Sequence, residues 1–199
     1  EKSMPGSKVK IWRAFLSAAK GPDGNQVNAI ERIGNGPWYD RRGRLFANNI
    51  SELLNDRPTN AHSAIKNDIP NEDGVPNHYP DPLNTSMAVD NHLTITGSGT
   101  DGKLYKSSSS GGGGGFGGGG GFGGGFDFSN CAEDVTCSDW TSTTANSTPR
   151  AGFSWPQTFG GTSNWISGWC LAGCEAGIDL DDRTGAGLPG VKTIGSGGG

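Results

Sequence analysis

The sequence predicts an extracellular domain cross-linked by disulfides and built on turns and short strands. Three observations predict it. The four cysteines, Cys131, Cys137, Cys170 and Cys174, all fall in the last 70 residues. Apolar residues make up 32% and charged residues 18%, below the ~45–50% and ~25% of ordinary globular chains. Clusters of Gly, Pro and Asn break the chain into short pieces. A chain with so little to bury gains from covalent cross-links. The cysteine spacings, C-x5-C and C-x3-C, are not the C-x2-C of zinc ribbons and fingers. Disulfides are the expected use, and they imply an oxidising compartment, outside the cell or on its surface.

The elements follow in order. Residues 1–8 form a polar N-terminal segment, and residues 9–199 read as a single domain. Within Lys8–Ala19, Trp12, Phe15, Leu16 and Ala19 have helical spacing, while Val9, Ile11, Arg13 and Phe15 alternate as in a strand, so pattern leaves both open. Gly21-Pro22-Asp23-Gly24 ends the element either way. Val27–Ile33 is a short amphipathic piece, and Gly34-Asn35-Gly36-Pro37 is a turn. Trp38-Tyr39 and Leu45-Phe46-Ala47 flank Arg42-Gly43 as a hairpin with a charged tip and buried flanks. Ser51–Leu54 is one helical turn at most. From Asn55 to Asn91, five prolines forbid regular ladders through most of the segment. An ordered long loop is expected, anchored by Ile65, Ile69, Val75, Tyr79, Leu83, Met87 and Val89. Leu93–Thr96 is a strand, and Gly97–Gly102 turns the chain on a strong Asp-Gly signal.

Residues 107–128 are a Ser/Gly/Phe-rich insertion, with thirteen glycines between 111 and 125 broken only by Phe116 and Phe122. It has no collagen period. One reading is a flexible surface insertion, because each glycine loses much entropy on ordering. The other is an assembly segment in which Phe116, Phe122, Phe126 and Phe128 dock on this or a neighbouring subunit. Beyond it, Asp139-Trp140-Thr141-Ser142 is expected to open a strand, and residues 185–199 repeat Gly too often for a helix.

Several phrases occur together. Trp12–Ser17 resembles a W-x-A-x-L-S strand, and Arg32-Ile33 with Gly36-Pro37-Trp38-Tyr39 resembles its R-I…G-P-W-Y continuation. Leu45–Leu53 resembles an apolar-A-x-x-apolar-x-x-L stretch. His92–Ser98 with Asp101-Gly102 resembles H-x-x-x-T-G-S…D-G, and Cys137–Ser142 resembles C-x-x-W-T-S. Trp165 and Cys170 stand where a late Trp and Cys are placed. In this order they resemble bacterial secreted domains of the C-type lectin-like and endostatin-like superfamily, from about residue 11 to about residue 194 apart from the insertion. The resemblance implies an α+β domain: small, twisted, mostly antiparallel sheets, one or two helices and long loops. It favours the strand reading for Ile11–Leu16. It implies a Cys137–Cys170 disulfide, with Cys131–Cys174 as an additional pair. The superfamily's early Cys and its final Y-C-F strand have no counterpart here, and the resemblance implies truncation at both ends.

The candidate sites are sparse. Val75-Pro76-Asn77 and Ser138-Asp139-Trp140 do not reproduce the calcium-dependent sugar motifs of C-type lectins. Asp179, Asp181 and Asp182 read as a solvated acidic loop or, with backbone carbonyls, as a calcium site. Calcium is the one cofactor candidate. His62, His78 and His92 are widely spaced and make no H-E-x-x-H. There is no G-x-S-x-G elbow and no P-loop, so no enzyme is expected. Trp12, Trp38 and Trp140 read as core; Trp155, Trp165 and Trp169 read as core or as a binding surface, because Trp offers a large face with a polar handle. Asp40-Arg41-Arg42-Gly43-Arg44 is the one dense basic run, read as a solvated hairpin tip or as a contact for an anion or acidic glycan. A net charge of −4 argues against nucleic-acid binding, and no apolar run is long enough to span a membrane. Asn49, Asn84 and Asn146 begin N-glycosylation acceptor patterns. Two functions are expected: an extracellular structural or assembly subunit that self-associates, for example in a surface filament, or a secreted lectin-like adhesin binding glycan or a protein partner through the loops at 55–91 and 153–183.

Overall fold

A computed structural model of the chain describes residues 13–70, 88–89, 93–106, 131, 133–143, 147–154, 164–171, 173–174 and 191–192. Over these residues the fold is α+β, made of small sheets and single-turn helices. The helical turns are α1 (Ala29–Arg32), α2 (Ile50–Leu53), α3 (Ser63–Lys66) and α4 (Cys137–Trp140). The strands are β1 (Trp38–Tyr39), β2 (Leu45–Ala47), β3 (Ala88–Val89), β4 (Leu93–Ile95), β5 (Arg150–Phe153), β6 (Trp169–Cys170) and β7 (Val191–Lys192). β1 and β2 form the expected hairpin, β3 and β7 pair in parallel, and β4-β5-β6 is an antiparallel sheet. No helix among the described residues is long and apolar enough to cross a membrane.

The central sheet obeys strand alternation. Leu93 lies opposite Phe153 and Ile95 opposite Ala151, while Trp169 lies opposite Ala151 on the other side. Together with Leu171 they form one apolar cluster, in which the Phe153 and Trp169 rings meet edge to face at 6.0 Å. Gly152 points to the other face, where the backbone of Trp165 and Ile166 lies so close that a β-carbon would overlap it. That approach brings Ile166 and Trp165 into a second cluster with Ala47 and Leu53. Arg57 closes the seam between the clusters. Its guanidinium donates to the carbonyls of Lys66, Phe153 and Ser154, and burial lowers its pKa to about 10 against the opposing pull of Asp68 and Asp56. It therefore stays charged at neutral pH as an internal tie.

Three of the recurring phrases meet at one joint. The Ser17 hydroxyl bonds that of Ser98 at 2.8 Å and accepts from the Ala29 amide. Gly97 (φ 64°) has room for nothing larger, because Thr136, the Trp140 ring and the Ser17 carbonyl crowd its α-carbon. The Trp140 indole N–H donates to the Ser17 carbonyl at 2.9 Å, and the Asp139 carboxylate accepts from the Ala19 and Lys20 amides. The C-x-x-W-T-S phrase is thus a clasp on the N-terminal segment, not the start of a strand. Its backbone is left-handed, with φ of 54°, 52°, 54° and 69° over Cys137–Trp140. Four such L-residues in succession are disfavoured by ~1–2 kcal/mol each. Asp134 holds them: its carboxylate accepts from the Thr136 and Ser138 amides and from the hydroxyls of Thr136, Ser138 and Ser147. Burial raises the Asp134 pKa, but the bonds from Ser147, Thr136 and Ser138 outweigh it and hold the group below the usual carboxylate value.

Three sequence expectations need correction. Residues 13–17 have no strand ladder; Ser17 bonds the Thr96 carbonyl and Ala18 makes a single antiparallel bridge to Val27. The long loop contains a helical turn, α3, with Ile65 fully buried and the His62 side chain accepting from the Ala64 amide. The cysteines pair Cys131–Cys170 and Cys137–Cys174, with Cα separations of 5.4 and 5.8 Å, inside the range a disulfide needs. The reason is register. Arg150 lies opposite Cys170 and donates its amide to the Val135 carbonyl, which sets Cys131 and Cys137 near the end of the sheet, where Cys131 reaches Cys170. Cys137 lies further along, in the left-handed turn, and meets Cys174 beyond the end of β6.

Two outcomes are expected. Peptide mapping of the non-reduced protein will recover Cys131–Cys170 and Cys137–Cys174, and Ser replacement of either pair will cost about 4 kcal/mol in denaturant unfolding, since both bonds close loops of nearly forty residues. Because folding lowers the Asp134 pKa, its contribution is complete above about pH 4 and is lost as pH falls through the folded value. Asp134→Asn will therefore lower stability at pH 7 by ~1–3 kcal/mol and flatten the acid limb of a Tm-versus-pH curve.

Candidate functional site

The β1–β2 hairpin forms one rim of an open groove of about 990 Å³. Its turn is self-contained. The Gly43 amide bonds the Asp40 carbonyl, and Gly43 takes φ 75°, a conformation glycine adopts without penalty. The Asp40 carboxylate turns back on its own loop. It accepts from the Arg42 and Arg44 amides, from Arg44 Nε at 2.6 Å and from Arg44 Nη2 at 2.5 Å. Asp40, the one acid among the described lining residues, is thereby paired within the turn, and Arg41 and Arg42 occupy the tip.

The opposite wall comes from Arg13 and Phe15, with Arg32, Ile33 and Gly34 at the end of α1. Four of the seven described arginines line the groove, in a protein whose net charge is −4. Arg13, Arg32 and Arg42 are exposed and sit on three separate elements. This sign reversal gives the groove a local positive field against an acidic background.

Aromatic rings make the floor. The Phe15 and Phe46 ring centroids each lie 5.1 Å from that of Trp165, and the Trp165 indole N–H donates to the Leu53 carbonyl at 2.8 Å. Trp38 fixes the hairpin to α1 through a bond to the Ile33 carbonyl at 3.2 Å. Gly36 (φ 86°) packs against the Trp38 ring with no space for a side chain. Tyr39 is 57% exposed at the rim, the one large hydrophobic side chain so exposed among the described residues.

The sequence candidates fall out as follows. Trp165 is 8% exposed and belongs to the second apolar cluster; its ring is held on two sides by Phe15 and Phe46, so it supports the floor and is not a free binding surface. Trp169 is half-buried against Phe153. Trp38 and Trp140 are partly buried, each with its N–H satisfied. Trp12, Trp155, the phenylalanines 116, 122, 126 and 128, and the aspartates 179, 181 and 182 lie outside the described residues. Among the described residues no three His, Cys, Asp or Glu side chains gather as a metal site would need. Sequence reasoning singled out the arginine run, but not Arg13, Phe15 or Tyr39 as its partners. Asn49, the first of the glycosylation acceptors, caps α2 by accepting from the Glu52 amide, while Glu52 reaches back to the Asn48 amide in a variant of the capping box.

Against known proteins, the chain matches no family, no curated protein and no solved structure.

Floor and rim respond differently to mutation. Trp165→Ala will lower stability by ~3–5 kcal/mol, measured by denaturant unfolding. Tyr39→Ala, at the exposed rim, will change it by less than about 0.5 kcal/mol.

Proposed function

We propose that the chain is a secreted, non-catalytic binding module of the C-type lectin-like and endostatin-like kind, an adhesin-type domain that takes an extracellular ligand in the groove beside the β1–β2 hairpin. The observation that carries this reading is the arrangement of four arginines around an aromatic floor, where the one acid among the described lining residues, Asp40, is already paired with Arg44. A concave surface with apolar walls and a few placed polar groups is the usual form of a ligand site. The disulfides and the phrases shared with secreted lectin-like domains support an extracellular setting.

A second reading, an assembly or filament subunit, rests on the regularly spaced phenylalanines of the glycine-rich insertion at 107–128. Glycine lets backbones approach closely, and periodic aromatics suit a repeated contact between copies.

The two readings separate in one experiment. The full chain and a variant lacking residues 107–128 are compared by sedimentation velocity at micromolar concentration and by binding to a panel of immobilised extracellular glycans and glycoproteins. The binding-module reading expects a monomer, saturable binding that survives the deletion, and unchanged binding in EDTA, because the described residues of the groove offer no cluster of acids to a cation. Absence of binding across the panel overturns it, and oligomers abolished by the deletion support assembly.

A further inference from the structure

We propose that the Cys131–Cys170 disulfide is a site of thiol exchange, opened by a small anionic thiol, and that Arg150 is the residue that makes it so. Exposure does not separate the two disulfides. Each joins a buried cysteine, Cys131 (8% exposed) or Cys137 (5%), to a half-buried one, Cys170 or Cys174. Charge does separate them. Arg150 Nη1 donates to Cys170 Sγ at 3.2 Å. Its Nε donates to the Ser167 hydroxyl at 2.8 Å, and its guanidinium lies 4.4 Å from the centre of the Tyr105 ring. Among the described residues no carboxylate meets it.

Arginine keeps its charge inside proteins, so Arg150 is a half-buried cation held by a hydroxyl, a sulfur and a ring. Burial lowers its pKa, the effect expected of a cation short of counter-charge. A disulfide sulfur is a weak acceptor. A thiolate at Cys170 supplies the missing anion and turns that weak contact into a charge-assisted hydrogen bond. At Cys137–Cys174 the sign is reversed. The Asp134 carboxylate accepts from the amide of Ser138, next in the chain to Cys137, and among the described residues no cation bonds either sulfur of that pair. Negative charge on those sulfurs is opposed.

The exchange balances in two steps. A thiolate, R–S⁻, attacks Sγ of Cys170, the more exposed residue of the pair. The Cys131–Cys170 bond breaks, its electron pair leaves on Cys131 Sγ, which takes a proton from water, and a mixed disulfide forms between R and Cys170. A second R–S⁻ attacks the R sulfur, forms R–S–S–R and expels Cys170 as the thiolate that Arg150 holds. Two thiols are oxidised to one disulfide, and the protein pair is reduced. In the first step negative charge spreads over three sulfurs, and Arg150 sits beside the central one. The same guanidinium draws an anionic nucleophile. Cys137–Cys174 closes a loop over nearly the same stretch of chain, so the fold stays cross-linked while the first bond is open.

The test is incubation of the folded full chain with mercaptoethanesulfonate, an anionic thiol, or cysteamine, a cationic one. The reaction is quenched in acid and the four cysteines are followed by alkylation and peptide mapping, with rates scaled to thiolate concentration. Cys131–Cys170 is expected to open at least about tenfold faster than Cys137–Cys174, with the mixed disulfide on Cys170 and with the anionic thiol preferred at this bond alone. Arg150→Gln is expected to slow that opening by about tenfold and to leave Cys137–Cys174 unchanged, and Arg150→Lys, which keeps the charge, to restore part of the rate. A purely structural Arg150 would instead loosen the fold when replaced and speed both bonds. Equal rates at the two bonds, faster opening of Cys137–Cys174, or an unchanged or faster rate in Arg150→Gln overturns the proposal. Should Arg150→Gln fail to fold, the unaltered chain decides: no preference for the anionic thiol at Cys131–Cys170, or the same preference at both bonds, overturns it.

Discussion

Two disulfides fastening residues 131–137 to residues 170–174 govern the remainder of the structure. Among the described residues the apolar clusters have four buried members each, joined by more partly buried neighbours than buried ones, and the covalent bonds add to that packing. Cys131–Cys170 secures the edge strand β6. Cys137–Cys174 fixes a turn whose left-handed backbone would otherwise relax. That turn grips Ser17, Ala19 and Lys20 through Asp139 and Trp140, and the segment so gripped carries Arg13 and Phe15 to the groove. A sulfur–sulfur bond near one end of the chain therefore fixes the position of a guanidinium near the other.

The joint between segments and the groove draw on different side chains. Ser17, Thr96, Gly97, Ser98 and Trp140 are spent on the joint between segments, and their polar atoms have partners inside the protein. The groove uses neighbours of those residues in sequence that point elsewhere: Arg13 and Phe15 precede Ser17, and Tyr39 follows Trp38. Arg13 and Phe15 fall at variable positions of the phrases that resemble secreted lectin-like domains, whereas Arg32, Trp38, Tyr39 and Trp165 fall at positions those phrases fix.

Some of this was legible in the sequence. Trp38-Tyr39 and Leu45–Ala47 around Arg42-Gly43 announced a hairpin because turn chemistry and flanking apolar residues are local signals. The Leu93–Ile95 strand and the Asp-Gly turn were legible for the same reason. The left-handed turn was not, since nothing in Cys-Ser-Asp-Trp favours positive φ; it persists through Asp134 and a distant cysteine. Disulfide pairing was equally hidden, because spacing does not fix which sulfur lies beside which. Helix α3 was masked by the surrounding prolines and by an uncommon histidine cap. The arginine run was visible, but its meeting with Arg13 and Phe15 joins segments about thirty residues apart, and its meeting with Trp165 joins segments more than a hundred residues apart.

The clasp has a consequence for the chain as it is made. Ser17, Ala19 and Lys20 have their partners at 139 and 140, and Leu53 has one at 165. During synthesis the N-terminal third emerges well before those partners exist, and contacts so far apart close late and slowly. The two disulfides, each closing a loop of nearly forty residues, then lock contacts that have already been brought together.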